Sequence, residues 1–381
     1  MHPIIILGSG LAGYNVAKEL RKLDKETPLT VISADSGFFY SKPMLSNALA
    51  SKKAPAAIAL NTAEQMATQL NATVRAQTRV TAIDATAHRI RIGDETLAYS
   101  KLVLALGADQ IGLPIAGDAA AAIITVNDLD DYGRFHTLLN GPKRIVIIGA
   151  GLIGSEFAND LVLAGHHVEV IDIAQQPLGR LLPPAGGALL QEKLAALGVV
   201  WHFGVGTKSV VHSGGALRVT LDNGATLQAD IVLSAVGLKP RTDLARDAGL
   251  AANRGVMVNR QLQTSDTDIY ALGDCMEIEG LVMPYVMPIM HAARALGATL
   301  AGKPTAVNFP AMPVMVKTPA CPTIVAPPAP GAAGAWQVEA TADGVKSLFV
   351  DASGKLLGFA LNGTATAERA KLTPQLPPVL A

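Results

Sequence analysis

Three glycines near the start of the chain have the spacing of a dinucleotide-binding turn. Gly8, Gly10 and Gly13 form the pattern G-x-G-x-x-G directly after a short apolar run. The first glycine permits a tight bend, the second lets a diphosphate approach the backbone, and the third lets a helix pack on a strand. Asp35 follows the next apolar run, close to the place, about 20 residues past the glycines, where a carboxylate binds a ribose. A ligand-free turn, with Asp35 as a turn former, is the alternative.

The same pattern occurs a second time. Gly149, Gly151 and Gly154 repeat the spacing, and Asp172 ends the apolar run that follows. A carboxylate at this position accepts a ribose 2′-hydroxyl and repels a 2′-phosphate. Residues 173–176 contain no Arg or Lys to offset that repulsion, so the sequence favours NADH over NADPH.

Glu156 lies two residues after Gly154, in the first turn of the helix that should follow. Two interpretations are open: the carboxylate either complements the positive end of the helix dipole or contacts the nicotinamide.

The two cysteines exclude one class of redox chemistry. Cys275 and Cys321 are far apart in sequence and form no C-x-x-C or C-x4-C pair. Neither a disulfide framework nor a redox-active dithiol is therefore expected. Both are interpreted as small packed residues.

The elements around the glycines indicate two βαβ units. The first is expected to contain a strand at 4–7, a helix at 14–22 and a strand at 29–33, and the second unit repeats this at 144–148, 155–164 and 168–172. Further strands are expected at 74–80, 90–92 and 102–106. Beyond residue 302 the composition changes: the Pro-rich stretch 318–334, whose usual fate is a surface loop, precedes short alternating runs at 336–339, 345–350 and 356–361.

Composition narrows the class of protein. The chain has 381 residues, of which 50% are hydrophobic, and 31 basic residues balance 31 acidic ones. This length suits several domains, and the neutral balance gives no global attraction for nucleic acid or anionic membrane. No apolar run approaches the roughly 18 residues of a membrane-spanning helix, and no secretory signal is recognisable. The protein is expected to be cytoplasmic.

A third segment carries a resemblance to a family. Residues 264–274 end a short apolar run in Gly273-Asp274 and resemble the T-x-x-x-I-y-A-x-G-D element of the flavoprotein pyridine-nucleotide reductases. Residues 102–108 and 231–237 look like the linking strands of that family, although Leu106 replaces its usual Thr. The resemblance implies an α/β fold, like that of glutathione reductase, with two Rossmann-like dinucleotide-binding domains and a small C-terminal α+β domain. The implied limits are 1–108 with 238–302 for FAD, 109–237 for NAD, and 303–381 for the C-terminal domain.

Other segments narrow the resemblance. Residues 40–46, Tyr-Ser-Lys-Pro-Met-Leu-Ser, are similar to an element of ferredoxin and rubredoxin reductases in which a basic residue lies against the flavin ring. With residues 11–15, 154–160, 285–288 and 316–322, the chain resembles the bacterial rubredoxin–NAD reductases from end to end. Lys42 and Lys317 are then the implied flavin-tuning cations, Asp274 binds the ribityl chain, and no side chain performs acid–base catalysis.

The resemblance and the motifs together give one set of expected cofactor-binding residues. They are Gly8, Ser9, Gly10, Leu11, Ala12, Gly13, Ser33, Ala34, Asp35, Lys42, Val80, Gly149, Gly151, Leu152, Ile153, Gly154, Glu156, Asp172, Gly237, Asp274, Val286 and Lys317.

The function implied by the resemblance is transfer of hydride from NADH to bound FAD, followed by single-electron transfers to rubredoxin. Flavorubredoxin reductase and the ferredoxin reductase of an oxygenase system are alternatives that share the flavin motifs. An NADH-binding sensor of the apoptosis-inducing-factor type belongs to a different class. The sequence does not distinguish between two destinations for the electrons, alkane hydroxylation and stress defence. It also does not indicate the oligomeric state.

Overall fold

The computed structural model describes residues 2–381. Its chain divides into two compact units. The first comprises the described residues up to Lys42, together with Ala57–Asp109 and Leu238–Phe309, and the second comprises Pro43–Ala56, Gln110–Gly237 and Pro310–Ala381. The second unit thus holds both the repeated glycine pattern and the C-terminal segment. The domain limits given above stay a prediction.

A five-stranded parallel sheet forms the centre of the first unit. Its central strand Ile4–Leu7 is wholly apolar, and Ile5 and Ile6 have no exposed surface, as expected for a strand buried on both faces. The strand order is Ile269–Ala271, Lys101–Leu104, Ile4–Leu7, Leu29–Ile32 and Thr73–Arg75.

Two long helices of the first unit pack closely on each other. Leu11–Leu23 meets Val286–Leu300 at Gly297, where a Cβ atom would lie 2.7 Å from the Cβ of Glu19. Glycine is therefore required at this crossing. The other helices that lie partly or wholly in the unit are Pro55–Ile58, Ala63–Leu70 and Asp243–Asp247.

Smaller sheets complete the first unit. An antiparallel sheet joins Ala82–Asp84, Arg89–Ile92 and Glu95–Ala98, and strand pairs join Phe39–Tyr40 with Ala59–Asn61, Val256–Val258 with Met276–Ile278, and Ala108–Gln110 with Leu238–Pro240. The strand expected at 74–80 spans only Thr73–Arg75. It ends there because Gln77 has a left-handed backbone, with φ of 50°, which no strand continues through.

The second unit contains a four-stranded parallel sheet and an antiparallel sheet. The parallel order is Val200–Phe203, His167–Asp172, Arg144–Ile148 and Ile231–Ser234. The antiparallel strands are Thr207–Ser213, Ala216–Leu221 and Thr226–Ala229, and the helices are Leu129–Leu138, Leu152–Leu163 and Pro184–Ala195.

The C-terminal part of the second unit is a five-stranded antiparallel sheet. Its order is Val314–Val316, Thr323–Ala326, Leu356–Gly363, Gly344–Val350 and Ala335–Ala340, and the helix Arg369–Leu372 follows. All four residues of Thr323–Ala326 are buried, so the expectation of a surface loop was wrong for this part of the Pro-rich stretch. Its prolines lie before and after the strand, where a missing N–H breaks no ladder hydrogen bond.

The described part of the chain contains five 3-10 turns, distributed over both units: Lys42–Ser46, Ala120–Ala122, Gly273–Cys275, Thr364–Glu368 and Thr373–Gln375. Within residues 2–381, none of the helices has the length and apolarity needed to cross a bilayer.

Candidate functional site

The first glycine loop, residues 8–13, has the geometry that a bound diphosphate requires. Gly8 has φ of +114°, and a Cβ there would lie 2.2 Å from the Ala105 carbonyl oxygen. A Cβ at Gly13 would lie 1.8 Å from the Gly8 carbonyl oxygen, so this glycine allows the helix to approach the strand. A Cβ at Gly10 would meet nothing within 4 Å, which leaves open space at the position that a diphosphate approaches. The helix begins at Leu11 rather than at residue 14, because Gly13 belongs to its first turn.

Asp35 ties this loop to the second strand. Its Oδ1 accepts hydrogen bonds from the Ser9 hydroxyl at 2.9 Å, the Ser33 hydroxyl at 2.6 Å and the Gly37 amide at 2.9 Å. The Ser9 hydroxyl also lies 2.8 Å from that of Ser33. The carboxylate is therefore fixed beside the loop at the end of the strand, where a ribose contact is expected, and Ala34 next to it is exposed.

The second glycine loop, residues 149–154, repeats this construction. Gly149 has φ of +106°, and a Cβ there would lie 2.7 Å from the Ala235 carbonyl oxygen. A Cβ at Gly154 would lie 1.8 Å from the Gly149 oxygen, whereas one at Gly151 would meet nothing within 4 Å. The second loop thus has the same two close approaches and the same open position as the first, so it is not a degenerate copy.

Asp172 is the last residue of its strand and holds the second loop. Its Oδ2 accepts the Ala150 amide at 2.5 Å and its Oδ1 accepts the Ala174 amide at 2.7 Å. Ile173 beside it is 77% exposed, and Arg180, the first basic residue downstream, is also exposed. The four residues that follow Asp172 in the sequence, 173–176, are therefore uncharged.

Both loops fit the diphosphate of a dinucleotide. The N-cap residues of the helices Leu11–Leu23 and Leu152–Leu163 are Gly10 and Gly151, and neither helix has a side-chain cap within the described residues. The first N–H groups of each helix are therefore left for another acceptor, beside the space that the glycines keep open. An anionic diphosphate supplies that acceptor.

Asp274 lies next to the first glycine loop. The preceding Gly273 has φ of +81°, and a Cβ there would lie 2.8 Å from the Cβ of Ala12. The Asp274 carboxylate is 3.9 Å from the Lys42 ammonium, and its side chain is only 13% exposed. Burial raises the pKa of this carboxyl group, while the charges of Lys42 and Arg241 oppose the rise. The geometry suits a carboxylate that accepts hydroxyl groups of a polar ligand chain.

Glu156 has partners that the sequence did not reveal. Its carboxylate has no exposed surface. Oε2 accepts the Ser46 hydroxyl and the Lys317 ammonium, both at 2.5 Å, and Oε1 accepts the backbone amide of Lys317 at 2.8 Å. Three segments of the second unit therefore converge on one carboxylate. No sequence pattern indicated this, because the three residues are separated by more than 100 positions.

The remaining expected residues occupy loops or element ends. Val286 is the first residue of its helix and is 37% exposed, Val80 lies in a loop, and Gly237 follows its strand with φ of +118°. Leu152 and Ile153 are the first two residues of the helix Leu152–Leu163. Leu11 and Ala12 are the first two residues of the helix Leu11–Leu23.

The two thiols are buried in different units. Cys275 is fully buried and burial raises its pKa to about 11, while burial also raises the pKa of Cys321. Buried thiols with raised pKa values are poor nucleophiles.

We therefore expect iodoacetamide at pH 8 to leave both cysteines of the folded protein unmodified over an hour. Intact-mass spectrometry reads the result, and the same treatment in guanidinium chloride should add two groups. Rapid alkylation of either thiol in the folded protein would contradict this picture.

Comparison with known proteins agrees with the interpretation of the two glycine loops as dinucleotide-binding loops. Residues 2–297 match the family profile "Pyridine nucleotide-disulphide oxidoreductase", and residues 306–376 match the "Rubredoxin binding C-terminal domain". The chain is 49% identical over 381 residues to the rubredoxin-NAD(+) reductase of Alcanivorax borkumensis, with 100% of both chains covered. It is 38% identical to the nitric oxide reductase FlRd-NAD(+) reductase of Escherichia coli K12, covering 98% of this chain and 99% of that one.

A solved structure is also similar. The covalent putidaredoxin reductase–putidaredoxin complex contains a chain that superimposes with a TM-score of 0.88 at 26% identity, covering 99% of this chain and 94% of that one. The α/β fold expected from the sequence is thereby confirmed. From these matches and from its paired glycine loops, the chain belongs to the pyridine nucleotide-disulphide oxidoreductase family.

Proposed function

We propose that this protein oxidises NADH and reduces rubredoxin, with FAD as its bound cofactor. The observation that carries the proposal is the joining of two complete glycine loops to a C-terminal segment that matches a rubredoxin-binding domain over residues 306–376. This segment contains the five-stranded antiparallel sheet at the C-terminal end of the second unit. The relative of highest identity given above is named a rubredoxin-NAD(+) reductase, in agreement with the proposal.

The residues of the first unit are proposed to hold FAD. The first glycine loop would bind the diphosphate, Asp35 the ribose and Asp274 the ribityl hydroxyls, with Lys42 next to that carboxylate. The chemistry that FAD supplies when bound is uptake of hydride from NADH and release of electrons one at a time.

The second glycine loop and Asp172 are proposed to hold NADH. The loop would bind its diphosphate through the N-terminus of Leu152–Leu163, and Asp172 would accept the ribose hydroxyls. Lys317 is the second proposed flavin-tuning cation. Neither thiol is placed to relay electrons, because each is buried and unpaired with the other cysteine, so electrons would pass directly to the acceptor protein.

Turnover with three acceptors tests the proposal. The FAD-loaded protein should reduce rubredoxin with NADH much faster than it reduces a flavorubredoxin or a plant-type ferredoxin. Equal or faster reduction of either rival would assign the protein to that partner instead. If the protein reduced none of the three acceptors, the proposal would fail and the alternative of an NADH-binding sensor would be favoured.

We also propose that the protein works in the cytoplasm. Both cysteines are free thiols and no disulfide occurs among the described residues, as is usual in a reducing compartment.

Two exposed lysines of the second unit, Lys52 and Lys53, are expected to steer an acidic partner. Rubredoxins are typically small and acidic, so the rate of rubredoxin reduction should fall several-fold as salt rises. The reason is that the Debye length shortens from about 10 Å at 0.1 M to about 3 Å at 1 M. Replacing both lysines by Ala should slow the reaction at low salt only, whereas Lys208→Ala, at an exposed position elsewhere in the unit, should not.

Stopped-flow measurement separates this effect from the first half-reaction, since reduction of the protein by NADH should depend little on salt. Rubredoxin reduction that is unaffected by both salt and the double substitution would remove electrostatic steering from the account.

A further inference from the structure

One face of the helix Leu152–Leu163, which follows the second glycine loop, is polar although it is buried. Glu156, Asn159 and Asp160 have the spacing i, i+3 and i+4, which places them side by side on that face. Their exposures are 0%, 1% and 2%. A buried helix face is usually apolar, and polar groups on it need hydrogen-bond partners. The partners of these three residues come from two separate loops.

The first loop contains Lys317. Its backbone amide donates to Glu156 Oε1 at 2.8 Å, and three residues later the amide of Ala320 donates to Asn159 Oδ1 at 3.1 Å. The segment 317–320 is therefore attached to the helix at two points, both through its backbone. Since the acceptor side chains of Glu156 and Asn159 are buried, water does not replace either bond readily.

The second loop contains Ser46. Its hydroxyl donates to Glu156 Oε2 at 2.5 Å and accepts the Lys317 ammonium at 3.2 Å. Three and four residues later, the amides of Leu49 and Ala50 donate to Asp160 at 3.0 and 2.9 Å. This segment is also attached to the helix at two points, one of which is the carboxylate that holds Lys317.

We infer that Asn159 and Asp160 are positioning residues that fix the Lys317 ammonium on Glu156 and Ser46. Each of them holds the far end of one loop, whereas Glu156 holds the near end of both. With one attachment lost, a loop can pivot about the other and move the ammonium away from the buried carboxylate. The hydrogen bonds of Asn159 and Asp160 go to the amides of the two loops, so Asn159 acts on Lys317 through its loop. Asp160 acts through its loop and also through the attraction between its carboxylate and the Lys317 charge.

Hydrogen exchange tests the attachments without reference to activity. In Asn159→Ala, exchange at Ala320 should accelerate about fivefold, the effect of losing one net hydrogen bond, with little change at Leu49 and Ala50. In Asp160→Asn the pattern should be reversed, because an amide retains one acceptor oxygen but turns an N–H group toward the other donor.

The matched control is Asp343→Asn. It removes an exposed ion pair, 3.2 Å long, between Lys193 and the C-terminal sheet, and should change neither loop. Should Asn159→Ala not fold, Asn159→Ser is the milder replacement. Unchanged exchange at Ala320 in the Asn159 variant, or equal acceleration in the control, would overturn the inference.

A double-mutant cycle tests the consequence for Lys317, and it rests on the proposed function. Asn159→Ala should slow rubredoxin reduction about fivefold in the wild-type background, as one hydrogen bond is lost, and have no further effect in Lys317→Met. A purely structural role would give the same slowing in both backgrounds, and that result would overturn the inference. If the wild-type protein reduces no rubredoxin, the proposed function fails, while the exchange experiment still decides the inference.

Discussion

The protein should use NADH about 100-fold more efficiently than NADPH, equivalent to about 2.7 kcal/mol in transition-state binding. The reason is the Asp172 carboxylate, which the Ala150 and Ala174 amides hold at the end of its strand. A 2′-phosphate would meet this negative charge, and residues 173–176 provide no cation to offset it. The ratio of kcat/KM for the two nucleotides measures the effect.

Two replacements of Asp172 should each reduce the preference for NADH over NADPH, with distinguishable effects. Asp172→Asn removes the charge but keeps one acceptor for the loop, so efficiency with NADPH should rise while that with NADH falls modestly. Asp172→Ala also releases both backbone amides, so the KM for NADH should rise more. Similar efficiency with both nucleotides in the wild-type protein would contradict the role of Asp172.

The second large effect concerns two glycines of the first loop. Gly10→Ala should leave a folded protein that has lost most of its FAD, because the new Cβ meets no protein atom within 4 Å but enters the space kept open for the diphosphate. The φ of −65° at Gly10 suits Ala. Gly8→Ala should instead prevent stable folding, since a positive φ and a Cβ only 2.2 Å from a carbonyl oxygen together cost more than about 3 kcal/mol.

Flavin absorbance per protein, before and after reconstitution, measures the first effect, and thermal unfolding of the apoprotein measures the second. Gly93→Ala is the matched control: Gly93 has φ of +57° in a hairpin and open space around it, so only about 1 kcal/mol should be lost. A Gly10→Ala protein with full FAD content would show that the first loop does not bind the diphosphate.

Local patterns were sufficient to predict the parts of the fold that depend on neighbouring residues. The two βαβ units follow from apolar runs separated by glycines, and their strands Ile4–Leu7 and Arg144–Ile148 have the expected bounds. The helix beginnings were less accurate, because the last glycine of each loop belongs to the first helical turn.

Long-range contacts account for what the sequence did not predict. Thr323–Ala326 is an interior strand only because Val314–Val316 and Leu356–Gly363 flank it, and its own flanking prolines suggested a loop. The polar face that contains Glu156 was not recognised for the same reason, since its partners lie more than 100 residues away in sequence. Glu156 considered alone suggested only a dipole or a nicotinamide contact.

Electron stoichiometry tests the central proposal most directly. The FAD-loaded protein is mixed anaerobically with a limiting amount of NADH and excess oxidised rubredoxin, and the absorbance of the rubredoxin iron is followed by stopped flow. Two rubredoxins should be reduced for each NADH consumed, because each accepts one electron and NADH supplies two. Oxidation of NADH without bleaching of the rubredoxin iron would contradict the assignment of this protein as a rubredoxin reductase.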